Sequence, residues 1–446
     1  MSRPGPRSRS PRPPAPTDEE VALSVSSGVI PGSANARSLW ALLGASGISL
    51  MGNQLTALAI PWFVLATTGS AANAGMVGVA AVAPAVLAAF LGGAVVDRLG
   101  PKRTSVLADI MSGVAIALIP LLYQSVGLPF AILLVLVFLG ALLDTPGVTA
   151  RLALLPDVAT GARVSLERAN GAYHSLENLA GVAGPLLAGV LVAVVGATSV
   201  LWVDAATFAV SAILVARVAP ALTAKPPERE AGGYRADIAL GWQVLRNDRF
   251  LRAMTAAAVA LNFLGAPLFA VILPVYGDRI YGSATALGLL LAGFGLGMLS
   301  GSLLFSLRGE QLSRRGLLLG GLMLTALPLA ALVAFPSLPV AVAALALAGL
   351  GSGPINPLVF TVLQERVPAD VRGRVFGTII GTALAAAPLG IAAAGFLVES
   401  MGLRVVLAVI AGGFLAVAGV ALVAPGFREL GVPVASAVEP ASATDA

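Results

Sequence analysis

Only 11% of the 446 residues are charged, so each ionisable side chain inside an apolar run is a candidate for chemistry. Asp144 lies seven residues before Arg151, about 10 Å along a helix rising 1.5 Å per residue. Glu177 lies nine residues beyond Arg168 in the next apolar run, about 13 Å by the same measure. A short charged loop joins the two runs, so the carboxylates are able to approach each other. The lone histidine, His174, stands three residues before Glu177 on the same helical face. Carboxylates raised by burial, or paired with histidine, titrate in a range useful for reversible proton binding. Glu177 is therefore the expected protonation site, with Asp144 second. The competing expectation is that both acids merely pair with Arg151, Arg163 or Arg168 near one membrane surface.

Neutral polar side chains in apolar runs form a second set. Asn53 and Gln54 fall near the middle of the first run, Asn178 follows Glu177, Asn262 occupies the second half much as Asn53 does the first, and Asn356 sits between Pro354 and Pro357. In hydrocarbon such residues either contact a polar ligand or hydrogen-bond between helices. All five are candidate substrate contacts. Asn356 also marks a helix break whose freed backbone groups need partners. Asp204 falls roughly seven residues from one end of its run and is expected to be structural.

Other chemistries are excluded by composition. There is no cysteine and one histidine, so neither thiolate nor His-rich metal sites are expected. No glycine-rich phosphate loop ends in Lys-Ser or Lys-Thr. Neither enzyme activity nor a cofactor is expected. The net charge of +5 is spread over short loops, which reports on topology and not on nucleic acid.

The elements that must position these residues are long apolar helices. Hydrophobic residues make up 57% of the chain, and uninterrupted runs near the roughly 20 residues of a bilayer span recur along it. Twelve spans are expected, at 39–67, 73–96, 104–124, 129–150, 167–194, 197–218, 253–276, 285–307, 315–335, 338–363, 375–399 and 402–425. Placing the N-terminus in the cytoplasm puts 25 of the 27 basic residues on that side and leaves only Arg279 and Arg404 outside. The expected fold is an all-α membrane protein of two pseudo-symmetric six-helix bundles. Residues 1–37 form a Pro- and Arg-rich disordered cytoplasmic tail, 38–218 the first bundle, 219–252 a cytoplasmic linker with an amphipathic helix marked by Ile238, Trp242 and Leu245, 253–426 the second bundle, and 427–446 a cytoplasmic tail. The halves echo each other, with Gly184-Pro185, Gly189 and Gly196 answered by Ala387-Pro388, Gly395 and Gly402.

Between spans two and three stands Gly93-x-x-x-Asp97-Arg98-x-Gly100-x-Lys102-Arg103, which resembles the signature loop of the major facilitator superfamily. Pro101 stands where that family usually has a basic residue. The resemblance extends to the branch containing macrolide-efflux and enterobactin exporters, through Ile48-Ser49-Leu50-Met51-Gly52, Ala59-Ile60-Pro61-Trp62, Leu154-Leu155-Pro156-Asp157, Arg168-Ala169-Asn170, Asp204-Ala205-x-Thr207-Phe208 and Val367-Pro368-x-Asp370-x-Arg372-Gly373-Arg374. Where the branch commonly has an acid, this chain has Asn53.

The resemblance implies an alternating-access exporter of a small amphipathic or hydrophobic molecule, driven by proton antiport across the cytoplasmic membrane. Uptake, facilitated diffusion and a non-transporting receptor or scaffold are the alternatives. It also implies a gating loop in which Asp97 latches the cytoplasmic side, with Asp109 completing the Asp97–Arg98 network. The expected partners are substrate, protons and the bilayer, with the chain monomeric.

Overall fold

The computed structural model describes residues 31–218, 234–334, 337–367, 371–424 and 427, with the side chains of 31–35, 88–95, 97, 234–240 and 310 outside that set. Most of tails 1–37 and 427–446, linker residues 219–233, the side chains of Asp97, Arg235 and Ile238, and Asp370 therefore lie outside the described residues.

Six helices build the first half: α1 (Pro31–Thr68), α2 (Ala71–Leu99), α3 (Pro101–Ser125), α4 (Phe130–Gly161), α5 (Leu166–Val195) and α6 (Ala197–Ala216). The linker helix α7 (Tyr234–Asn247) follows. The second half contains α8 (Arg249–Tyr281), α9 (Ala284–Arg308), α10 (Arg314–Ala334), α11 (Leu338–Arg366), α12 (Arg372–Met401) and α13 (Leu403–Val423). Among the described residues eleven of these are long and apolar enough to cross a membrane, and α2 is a further apolar helix over Ala71–Leu87.

Helix ends follow local chemistry. Ser70, Ser165, Asp248 and Ser283 cap the N-termini of α2, α5, α8 and α9 through their side chains. Gly100 joins α2 to α3 at φ 80°, a left-handed value open to glycine, and Pro101 then takes the first position of α3. Gly196 and Gly402 end α5 and α12 in the same conformation, φ 84°, ψ 154° and φ 86°, ψ 155°. This is the half-chain echo realised in the backbone. Around Pro267 and Pro274, α8 passes through π-helical turns at Leu268–Ile272 and Gly277–Tyr281, and α11 breaks between Ser352 and Ile355.

The two halves meet through α2 with α12 and α5 with α9. Their contacts tighten toward the arginine-poor end, where small residues let backbones touch. A Cβ placed on Gly75 would lie 2.9 Å from Gly395 Cα, and one on Gly189 would lie 2.7 Å from the Ala284 carbonyl oxygen. A single buried apolar core, including Leu55, Val77, Leu273 and Ile391, unites both halves at this end. At the arginine-rich end the core divides in two: one around Leu42, Leu154 and Val215, the other around Leu245, Phe250 and Val375. The molecule is thus sealed at one end and parted at the other.

The linker helix docks on protein. A Cβ on Gly241 would meet the Arg374 carbonyl oxygen of α12 at 2.7 Å, and Leu245 is buried in the second half's core. Trp242 stays partly exposed beneath the Arg246 guanidinium, 5.2 Å from its ring centre. Part of the apolar face expected to lie on the membrane is therefore spent on α12.

Candidate functional site

On α1, Ser49, Asn53 and Thr56 recur at helical spacing and form a polar stripe turned into the first half. Three carboxylates from other helices meet it. Asn53 Nδ2 donates to Asp144 Oδ2 of α4 at 2.9 Å, and Thr56 Oγ1 donates to Asp204 Oδ2 of α6. Arg151 of α4 donates to Asp109 Oδ1 of α3 at 2.7 Å and to Ser49 Oγ at 3.1 Å, and its Nη2 lies 3.9 Å from Asp144 Oδ1. Ser211 of α6 donates to the other Asp109 oxygen at 2.7 Å.

Asp109 and Asp204 are 0% exposed and Arg151 3%. Buried charge is tolerated when it is paired and hydrogen-bonded. Asp109 meets both conditions and Asp144 meets them in part, since its Oδ1 has no hydrogen-bond partner. Asp204 has hydroxyl partners only, from Thr56 and Thr207.

Asp144 and Asp204 both line a cavity of about 510 Å³ with Asn53 and Thr56. Its remaining wall is mostly apolar, with Ile60, Val77, Ile116, Val137 and Phe208 from the first half, and Phe269 of α8 and Ile391 of α12 closing it from the second. The cavity leans into the first half, because helices of that half supply most of its lining.

Several expectations from the sequence are corrected here. Of the five expected substrate contacts, Asn53 alone is on this wall. Gln54 packs against α5 at Gly184, Asn262 bonds back to the Ala258 carbonyl oxygen of its own helix at 2.9 Å, and Asn178 and Asn356 are exposed elsewhere. Sequence spacing places a residue along a helix, but neighbouring helices decide which face meets the cavity.

Glu177 and His174 do pair, Nδ1 to Oε2 at 3.0 Å, yet they are 54% and 65% exposed. They continue the α5 face that meets α9 at Gly181 and Gly189, beyond the point where the halves part. The burial expected to retune Glu177 is absent. Among the described residues Asp109 bonds Arg151 and Ser211, one to each oxygen, and not Arg98; the side chain of Asp97 lies outside the described residues. In the gating loop Arg98 is exposed and Lys102 Nζ donates to the Val218 carbonyl oxygen at 2.5 Å. The loop before α12 contributes Glu365, which binds Arg314 of α10 through two bonds of 2.5 and 2.9 Å within the second half.

Two features escaped the sequence reading. Asp204, expected to be structural, is on the cavity wall. Its signal was that it is the one acidic residue in its span. At the sealed end Glu399 of α12 accepts from the Ala71 N–H at the start of α2 at 2.9 Å and lies 3.7 Å from Arg279 of α8, which reaches the Gly69 carbonyl oxygen at 3.4 Å. This polar clasp crosses between halves, and no local pattern announces it.

Among the described residues, eleven helices long and apolar enough to cross a membrane and the further apolar helix α2, arranged in two halves around a cavity, restrict the family sharply. The Major Facilitator Superfamily model matches residues 42–283 and again 255–443. The chain belongs to this superfamily. Among its superfamily relatives, the multidrug efflux pump Tap of Mycolicibacterium fortuitum is 33% identical over 385 residues, covering 85% of this chain and 93% of the pump. Macrolide efflux protein A of Streptococcus pyogenes is 23% identical over 375 residues, 82% of this chain and 90% of that protein. The crystal structure of nucleoside transporter NupG shares the fold at 12% identity, with a TM-score of 0.72 over 88% of this chain and 98% of that one.

Proposed function

We propose that this chain exports a small, largely apolar drug-like molecule from the cytoplasm by alternating access, in exchange for protons. The observation that carries the reading is the cavity wall itself, where Asp144 and Asp204 stand in an otherwise mostly apolar lining, while the one guanidinium nearby, Arg151, is bonded to Asp109, lies 3.9 Å from Asp144 and leaves Asp204 with hydroxyl partners only. Ionised together, the three acids leave two negative charges uncompensated in a medium that disfavours them. Binding a proton relieves this, and so does binding a substrate with positive charge. The efflux activities named for the Tap pumps and macrolide efflux protein A agree with this direction of transport.

Asn53 carries no proton, but it holds Asp144, which is able to. The departure from the branch pattern at position 53 is thus compatible with coupling. The function is transport and not chemical turnover. Positive-inside bias places both termini in the cytoplasm, so the sealed end is the outer one and the conformation is inward-open. Asp97, at the inner end of α2, is then the latch for the opposite state.

Reconstitution tests the reading. Proteoliposomes with an imposed pH gradient should accumulate a fluorescent lipophilic drug against its gradient, and an ionophore that collapses the gradient should abolish accumulation. Accumulation indifferent to the gradient would refute proton exchange.

A further inference from the structure

We infer that Asp204 of α6, and not the Glu177–His174 pair, is the side chain that takes up the exchanged proton, working in series with Asp144. This rests on the antiport reading and names its residue.

Four observations converge. Asp204 is fully buried near the middle of a span with no other ionisable residue. It lines the cavity, so water or substrate entering there meets it. Its partners, Thr56 and Thr207, are hydroxyls, which donate to a carboxylate and, after rotation, accept from a carboxylic acid. Both protonation states are thus satisfied without moving a helix. Finally, the site is built by close approach: a Cβ on Gly52 would collide with Asp204 Oδ1 and Thr207 Oγ1, so α1 and α6 press together only because position 52 is glycine.

The surrounding charges define the assignment. From α3 comes Asp109, already bonded to Arg151 and Ser211. From α4 come Asp144 and Arg151, the latter committed to Asp109 and Ser49. Within its span α1 presents Asn53 and Thr56, and α5 has no ionisable residue from Asn178 to Val195. No cation therefore faces Asp204 from these helices.

Asn53 and Thr56 are one turn apart on α1 and hold Asp144 and Asp204 respectively. The two acids form consecutive stations along one helix face. In the exchange, a proton from outer-side water binds Asp204 when the outer end opens. In the inward-open state it leaves to cavity water directly or by way of Asp144, restoring the anion as substrate arrives. Glu177, exposed beyond the parting of the halves, stays in contact with one side in this state and so is poorly placed to carry a proton across.

The experiment compares wild type, Asp204→Asn, Asp204→Glu, Thr56→Val, Asp144→Asn and Glu177→Gln in proteoliposomes. For each, pH-gradient-driven accumulation is measured beside drug-for-drug exchange at equal pH, which reports folding and binding. Asp204→Asn should lower the ratio of driven accumulation to exchange at least tenfold. Asp204→Glu should retain that ratio because it keeps the carboxyl, even if the added methylene lowers both rates where α1 presses on α6, and Glu177→Gln should keep both at the wild-type level. Removing the Thr56 hydroxyl withdraws a partner that Asp204 holds in the structure, so the midpoint of the pH profile of driven accumulation should move.

Asp204→Asn accumulating as wild type does, or Thr56→Val leaving the midpoint unmoved, would overturn the assignment. If Asp144→Asn alone lost coupling, antiport would stand and Asp204 would fall. If wild type ignored the gradient, the antiport reading itself would fall.

Discussion

Substituting Gly189 by alanine should push the molecule away from the conformation described here. The new Cβ would stand 2.7 Å from the Ala284 carbonyl oxygen and 3.0 Å from Gly288 Cα. Both obstacles are α9 backbone, so no side chain can swing aside; α5 and α9 must part by several tenths of an ångström. Overpacking of this kind costs about 1–3 kcal/mol. The strain exists only while the two halves touch at this seam, so it enters the balance between conformations almost in full and shifts it by about 5- to 150-fold.

The natural absence of cysteine makes the measurement direct. A cysteine at Thr285, whose hydroxyl lies 3.4 Å from the Gly189 carbonyl oxygen, should react with a water-soluble maleimide faster in the Gly189→Ala background by a factor in that range. Gly320→Ala, where nothing stands within 4 Å of the added carbon, should leave the rate unchanged. Equal labelling in the Gly189→Ala and parent backgrounds would refute the claim that glycine contact seals this end.

Arg151→Met should lower thermal stability strongly, because a lost partner leaves Asp109 buried and charged, a penalty of about 3–5 kcal/mol; thermal unfolding in detergent should show Asp109→Asn restoring much of the loss. Glu399→Lys should loosen the sealed end, since it sets a cation against Arg279 and the N-terminus of α2, and the Thr285 cysteine should label faster. Glu365→Ala should change the melting temperature little, because the partly exposed pair with Arg314 is worth under about 1 kcal/mol, and the small effect should shrink further in salt.

How much of the site was legible depended on the kind of constraint. Asp144 was found because an acid deep in an apolar run is costly wherever it points, and so stands out without any knowledge of packing. Glu177 met the same test and failed in space, because the parting of the halves leaves its part of α5 exposed. Asn53 and Gln54 are adjacent, so one had to face the cavity and the other a neighbour; α5 pressing on Gln54 decided between them. Asp204 reads as structural in isolation. It becomes a cavity residue because Gly52 lets α6 approach α1 and because α8 and α12 close the same space.

The helical spans, most of their boundaries to within a few residues, the two-half echo and the superfamily were present in the sequence, because hydropathy and positive-φ glycines act locally along the chain. The fourth span departs, running on to Gly161 and burying Arg151, which the sequence places in a loop, and eleven of the twelve expected spans are long and apolar enough to cross a membrane among the described residues. Helix facing, the pairing of Arg151 with Asp109 across 42 positions, the clasp from Glu399 to Ala71 across 328, and the sealed end required the tertiary structure. Those features are set by rotations of packed helices about their own axes and by which half meets which, and a one-dimensional pattern carries neither.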